Sequence, residues 1–272
     1  MTTIAFIGAG NMAGAIIGGL VENGFDKNKL WASDPSQEKI DELTSTLGIQ
    51  GTTDNASAIK QADVVILAIK PQVMKAVLSP IKGALQEKQP LIISVAAGIN
   101  LNSISNWTDG NLAIVRCMPN TPALVQQGAS GLFANKQVSD SQKAISEQIL
   151  NAVGISVWVN EETQLDAVTA VSGSGPAYFF LFMEAMVEAG KKLGLSEETA
   201  KELTLKTALG AATMASQSRD TPAQLRKKVT SPNGTTEKAI NSFIDQDLSK
   251  MVETALKAAN DRSVELCKEL GV

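Results

Sequence analysis

Thr3-Ile-Ala-Phe-Ile-Gly-Ala-Gly-Asn-Met-Ala-Gly14 decides how this chain is read. An apolar run from Ile4 to Ile7 breaks into Gly8-x-Gly10-x-x-Ala13. Ile16, Ile17 and Leu20 then follow at helical spacing. The pattern predicts a strand, a tight glycine turn and a helix. Gly8 permits the turn, Gly10 lets backbone approach a pyrophosphate closely, and Ala13 is small enough for helix and strand to pack together. The phosphates would rest on the free N–H groups of the helix start, so Gly8, Ala9, Gly10, Asn11, Met12 and Ala13 are the first candidate binding residues. A glycine fingerprint alone is weak. Here a strand precedes it and a helix follows, which favours dinucleotide binding over a merely structural turn.

Outward from this unit, residues 1–160 alternate strand and helix. Strands are expected at Lys29 to Ser33, Val64 to Ile69, Leu91 to Val95, Leu112 to Cys117, Gly131 to Phe133 and Ile155 to Val159. Helices are expected at Glu38 to Leu47 (ended by Gly48), Val73 to Leu85 and Ser141 to Val153. The uninterrupted apolar runs are those of strands covered on both faces. The fold class is therefore an α/β, Rossmann-type doubly wound domain with a mostly parallel sheet. After Val159 no convincing strand remains. Residues 161–272 read as an all-helical domain, with helices at Ala177 to Leu193, Glu197 to Ser218, Thr221-Pro222 onward, Thr236 to Phe243 and Leu248 to Leu270. Several are apolar on more than one side, and Ala208 to Ala215 is rich in small residues. Such helices need covering. A domain this small is expected to cover them with a second copy, giving a homodimer or a dimer-based higher oligomer through the helical domain.

Composition narrows the chemistry. A chain of 272 residues suggests about two domains. With 44% hydrophobic and 19% charged residues it can bury a sizeable core. The net charge is −4 and the longest basic run is Arg226-Lys-Lys228, so no nucleic-acid partner is expected. The first strand follows Met1 too soon for a signal peptide, and the apolar stretch Pro176 to Val187 contains Glu184 and is too short to span a bilayer. A cytoplasmic protein with no membrane partner is expected. Cys117 and Cys267 form no C-x-x-C pair, and Cys117 reads as a packing residue. There is no histidine. That removes the commonest general acid/base and most transition-metal sites, so no metal is expected.

Dinucleotide sites read the adenosine ribose at the end of the second strand, about 20 residues past the glycines. That place holds Ser33-Asp34-Pro35. An acidic side chain favours NAD and repels a 2′-phosphate, whereas a serine hydroxyl can donate to that phosphate. Asp34 is equally suited to starting a turn. Lys70, after the third strand, suits either a phosphate or solvent. In the helical domain, Ser172 to Tyr178 and Thr230 to Thr236 each combine small hydroxyl residues, glycine and a helix N-terminus. Such loops can seat an anion without Lys or Arg, and the two together suit a small carboxylate.

Six segments, in order, make the chain resemble pyrroline-5-carboxylate reductases from end to end. They are Ile7 to Ala13, Ala68-Ile-Lys-Pro71, Ser94-Val-Ala-Ala-Gly98, Arg116-Cys-Met-Pro-Asn-Thr-Pro122, Asp166 to Tyr178, and Val229-Thr-Ser-Pro-Asn-Gly-Thr-Thr236. The last two are far more specific than the glycine fingerprint. The resemblance implies reduction of 1-pyrroline-5-carboxylate to L-proline by NADPH, with NADH left open. It implies cofactor contacts from Gly8 to Ala13, Ser33, Asp34, Asn55, Lys70, Pro71 and Ala97. Substrate contacts would come from Glu162, Ser172, Gly173, Ser174, Gly175, Gly234, Thr235 and Thr236. Thr236, Glu162 and Ser174 would serve the reaction itself, Glu162 by stabilising the iminium or by orienting a loop. A protonated cyclic imine accepts hydride readily, so the missing histidine is no obstacle. Two departures bear on cofactor choice. The family tends to carry a small or basic residue where Asp34 stands, and at Lys228 some relatives have a polar uncharged residue near the cofactor, where a lysine would instead help bind a 2′-phosphate.

A 3-hydroxyacid dehydrogenase of the 6-phosphogluconate dehydrogenase type shares this architecture. It needs a lysine soon after the glycine-rich turn, and here none occurs before Lys191. A nucleotide-binding sensor without catalysis is the third reading. The intact hydroxyls of Ser174, Thr235 and Thr236 argue against it.

Overall fold

The computed structural model describes residues 2–271. Its elements run β1 (Ile4–Ile7), α1 (Asn11–Glu22), β2 (Leu30–Ser33), α2 (Gln37–Leu47), β3 (Gln50–Thr52), α3 (Asn55–Gln61), β4 (Val64–Leu67), α4 (Met74–Lys88), β5 (Leu91–Ser94), α5 (Leu101–Trp107), β6 (Ile114–Met118), β7 (Gly128–Ala134), α6 (Asp140–Asn151) and β8 (Gly154–Trp158). Then follow α7 (Gln164–Val168), α8 (Gly175–Lys192), α9 (Glu197–Gln217), α10 (Pro222–Lys228), α11 (Thr235–Asp245) and α12 (Leu248–Leu270).

The strands form one sheet in the order β3-β2-β1-β4-β5-β6-β7-β8, parallel except for the antiparallel pair β6–β7. The chain leaves β1 in opposite directions, to β2 on one side and to β4 on the other. That reversal opens a crevice at the carboxyl ends of the strands, where ligands of such sheets bind. Side chains alternate across each strand, and the sheet sorts them into two cores. Ile4, Phe6, Val64, Ile66 and Ile93 enter one core, and Ala5, Ile7, Val65, Leu67 and Ile92 the other. All are essentially without solvent contact.

The chain divides into two compact units. The first holds Met1–Ser174 and resumes at Ala258, and the second is Gly175–Lys257. In the second, α8 packs on α9 with Gly190 against Ala200, and the rings of Phe182 and Phe243 lie 6.0 Å apart. Ser196 caps α9 through the Thr199 N–H, and Thr221 caps α10 in a capping box with Gln224.

The sequence reading holds no α3, α5 or α7, and three further elements differ from it. β7 is twice the expected strand, because its glycines Gly128 and Gly131 sit where a Cβ would meet Val153 O at 2.8 Å and Val168 Cγ1 at 2.7 Å. β3, Gln50-Gly-Thr52, carries no apolar signal. It borders β2 alone, and Gly51 lets Ile40 and Thr44 cover it. The Ser172–Tyr178 stretch is helical rather than a loop. Thr169–Gly173 forms a π-helical turn, Ser174 N–H donates to Thr169 O at 2.8 Å, and Gly175 begins α8. Pro176 falls in the first turn of α8, where its missing N–H costs nothing.

Candidate active site

The glycine turn lies at the crevice, and each glycine has a distinct physical reason. Gly8 holds φ at +101°, and a Cβ there would stand 2.4 Å from the Ala68 carbonyl oxygen. Its N–H donates to Ser33 O at 2.7 Å, tying the end of β1 to the end of β2. Gly10, the N-cap of α1, has no atom within 4 Å of where a Cβ would be, and no side chain caps the helix. The first-turn N–H groups of α1, from Asn11 and Met12, thus begin beside an open space that a side chain at Gly10 would fill. This is the cradle a pyrophosphate requires, and the residues fit a dinucleotide.

Around the turn, Asp34 accepts the Ala9 N–H, and the buried Ser33 donates its hydroxyl to Asn55 Oδ1 at 2.7 Å. Lys70 is exposed and caps a short 3-10 turn that starts with Pro71. Ala97 is half-buried beyond β5. The structure therefore gathers the cofactor candidates at the carboxyl ends of β1, β2, β3, β4 and β5.

A second cluster in the same unit surrounds Glu162. Arg116, in β6, is 4% exposed, and its guanidinium meets Glu162 Oε1 at 3.1 Å. The same oxygen accepts the Leu101 N–H at 2.8 Å. Arg116 also donates to Cys267 Sγ at 3.6 Å. Ser263, on α12, donates to Asp166 Oδ1 at 2.6 Å. Burial pushes the Cys267 thiol up, and the Asp166 carboxylate adds to this while Arg116 opposes it. Sequence reading quoted Arg116 without giving it a task. The signal was available: a cation inside Ile114-Val-Arg-Cys-Met118 needs an anion when the strand is buried.

Asn120 stands in the same motif. It is 9% exposed, donates its amide to Ser172 O at 3.0 Å and accepts the Ala129 N–H at 2.9 Å. It thereby ties the π turn to β7. Ser172 Oγ donates back to Val168 O, and the Ser174 hydroxyl has no hydrogen-bond partner among the described residues. Cys117 is buried, and desolvation pushes its thiol up to about 12, so it packs and does not react.

In the helical unit, Thr235 and Thr236 open α11. Both are exposed, and no side chain caps the helix at Gly234. Gly234 N–H is already given to Ser231 O, which leaves the threonine N–H groups for an anion. Glu237 folds back to accept the Asn233 N–H, keeping its charge on the loop. Lys228, a candidate for a 2′-phosphate, is ion-paired with Asp220 in its own unit and holds that carboxyl below its usual range.

The chain is 56% identical to a pyrroline-5-carboxylate reductase of Pseudomonas aeruginosa over 98% of either protein. It belongs to the pyrroline-5-carboxylate reductase family. A solved reductase from Coxiella burnetii superposes with a TM-score of 0.95 at 46% identity, covering 97% of this chain and 98% of that one. A Plasmodium falciparum pyrroline carboxylate reductase, solved with NADP bound, gives 0.84 at 31% identity and covers 98% of each chain. The family model for pyrroline-5-carboxylate reductase dimerisation matches residues 162–266, and a model described as NADP oxidoreductase, coenzyme F420-dependent, matches residues 3–98. In reductase terms the first unit carries the nucleotide fold, and the helical segment carries the family's dimerisation region.

Proposed function

We propose that this protein reduces 1-pyrroline-5-carboxylate to L-proline at the expense of NADPH, the closing step of proline synthesis. The end-to-end likeness to named reductases carries the reading, and the open glycine cradle supports it. NADPH supplies the hydride for the C=N carbon. The chain's task is to bind, orient and manage one proton. The Gly8–Ala13 turn holds the pyrophosphate, with Asn55, Lys70, Pro71 and Ala97 at the neighbouring strand ends and the buried Ser33 and Asp34 supporting them. The substrate residues are Glu162, Ser172, Gly173, Ser174 and Gly175 in one stretch and Gly234, Thr235 and Thr236 in another. The Thr235 and Thr236 N–H groups attract the substrate carboxylate through the positive end of α11. The Thr236 hydroxyl, which has no hydrogen-bond partner among the described residues, serves the ring nitrogen and its proton. Glu162 acts through Arg116 and Leu101, orienting its segment.

In this reading residues 1–160 bind cofactor, and residues 161–272 bind substrate and dimerise. The apolar side chains on α8 and α9 support a homodimer. Phe179, Phe180, Leu181 and Leu209 are each at least 60% exposed in a single chain, a load that soluble surfaces rarely carry uncovered. No helix among the described residues is long and apolar enough to cross a membrane, and we place the protein in the cytoplasm. The test is direct. Purified protein, 1-pyrroline-5-carboxylate and NADPH or NADH should lose nicotinamide absorbance and yield proline. Cofactor binding without any oxidation would refute the reaction.

A further inference from the structure

Asp34 stands where an acidic residue ordinarily reads the ribose and selects NAD over NADP. Its surroundings describe another task. The side chain is only 11% exposed. Oδ2 accepts the Ala9 N–H at 3.0 Å, from the middle of the glycine turn. Oδ1 accepts the Ser36 N–H at 3.0 Å, at the N-cap of α2. Lys39 Nζ lies 3.7 Å from Oδ2. The carboxylate therefore clasps the two loops that frame the adenosine end of the crevice, and its charge is met by two amides and an ammonium. Ser33 cannot take over as reader, since its hydroxyl is fully buried and committed to Asn55. The Ser36 hydroxyl, at the rim, caps nothing.

We propose that Asp34 is a positioning residue that locks the glycine turn to the start of α2 and does not discriminate between NADPH and NADH. Three observations converge on this: both oxygens are bonded to backbone, the side chain is nearly sealed from solvent, and Lys39 answers its charge. A carboxylate used this way sets the turn before any dinucleotide arrives, and so supports both cofactors equally. The inference rests on reading the first unit as a dinucleotide site.

The test is equilibrium binding without imine, so that a failure of proline formation bears on the proposed reaction and not on this point. Wild type, Asp34→Asn and Asp34→Ala are titrated with NADPH and with NADH, following nicotinamide fluorescence. Amide exchange is followed in the cofactor-free wild type. Asp34→Ala should weaken both cofactors by the same factor, about tenfold for the loss of a charge-assisted bond, and Asp34→Asn by less, again equally. The Ala9 and Ser36 amides of the wild type should be protected. A selective loss of NADH, with NADPH kept or improved, would restore Asp34 as the ribose reader and overturn the proposal. Unprotected amides overturn it too, whether or not the alanine variant folds. Wild type that binds neither dinucleotide removes the nucleotide reading and this inference together.

Discussion

Breaking the Arg116–Glu162 pair gives the sharpest test of how the Glu162 segment is held. The side chains are 5% and 24% exposed and meet at 3.1 Å. At an effective dielectric constant of about 20, charges at that distance attract by about 5 kcal/mol before desolvation is charged against them. Exposed pairs retain about 0.2–1 kcal/mol, and removing one partner of a fully buried pair costs about 3–5 kcal/mol. Arg116 is sealed and Glu162 partly open, so a coupling of about 2 kcal/mol is expected. Glu162→Gln keeps an acceptor for Leu101 and leaves Arg116 without its counter-charge. Its cost should be about 2–3 kcal/mol, or about 4–10 °C in melting temperature for a chain of this size. Arg116→Met and the double variant complete a cycle read by urea midpoints of the same transition. If Glu162 is a positioning group, the loss in turnover should track the loss in stability across the cycle. A coupling below about 0.5 kcal/mol would refute the ion pair as a structural tie. Turnover abolished in a fully stable Glu162→Gln protein would mean that Glu162 serves the reaction directly.

The two turn glycines should part company. Gly8→Ala, with its positive φ and backbone oxygen at 2.4 Å, should cost about 2–5 kcal/mol, whereas Gly10→Ala should leave the urea midpoint almost unmoved and weaken NADPH binding. Equal stability of the two variants would contradict the turn geometry. Thr236→Ala should cut turnover far more than NADPH affinity; parallel losses, or none, would remove the role given to its hydroxyl. Asn120→Ala strands the Ser172 carbonyl and the Ala129 N–H. It should cost about 1–3 kcal/mol and raise KM for the imine more than KM for NADPH, and an unchanged KM ratio would detach Asn120 from the π turn. Burial pushes the Cys117 thiol from its ordinary 9.0 up to about 12, so alkali ionises the unfolded chain first and favours it. Between pH 8.5 and 10.5 wild type should lose about 2 kcal/mol more than Cys117→Ala, and a constant gap in urea midpoints would show that the thiol is not sealed.

How much was legible in the sequence depended on where each residue's partners lie. β1, β4 and β5 are covered on both faces, so burial writes itself as an unbroken apolar run. The starts of α9 and α10 were legible because Ser196 and Thr221 each cap an N–H only three residues on. β3 was not, since its cover comes from Ile40 and Thr44 through the bare side of Gly51. The Ser172 segment looked like a loop because its glycines and serines are loop formers, yet the π turn satisfies the Ser174 amide within the helix. Asp34 was visible as an acidic residue at the right strand end. That its oxygens are bonded by Ala9 and Ser36 is a fact of three dimensions. Arg116 and Asn120 stood in a quoted motif, but Glu162 and Ser172 lie 46 and 52 residues further on, where no local pattern could join them.

The return of α12 to the first unit sets the order in which the molecule can be finished during synthesis. Ser103 waits for Gly271 across 168 residues, Arg116 for Cys267 across 151, and Asp166 for Ser263 across 97. Gly98 likewise faces Leu266 and Leu270. A ribosome delivers the sheet and its glycine turn first, then the whole helical segment, and only then the residues that close this side of the sheet. Until that moment Arg116 has Glu162 but not its thiol neighbour, and the apolar ground around Gly98 is open to water and to other chains. Contacts of such long sequence separation form late and slowly. The nascent nucleotide-binding unit is thus at its most adhesive in the interval before its last helix emerges.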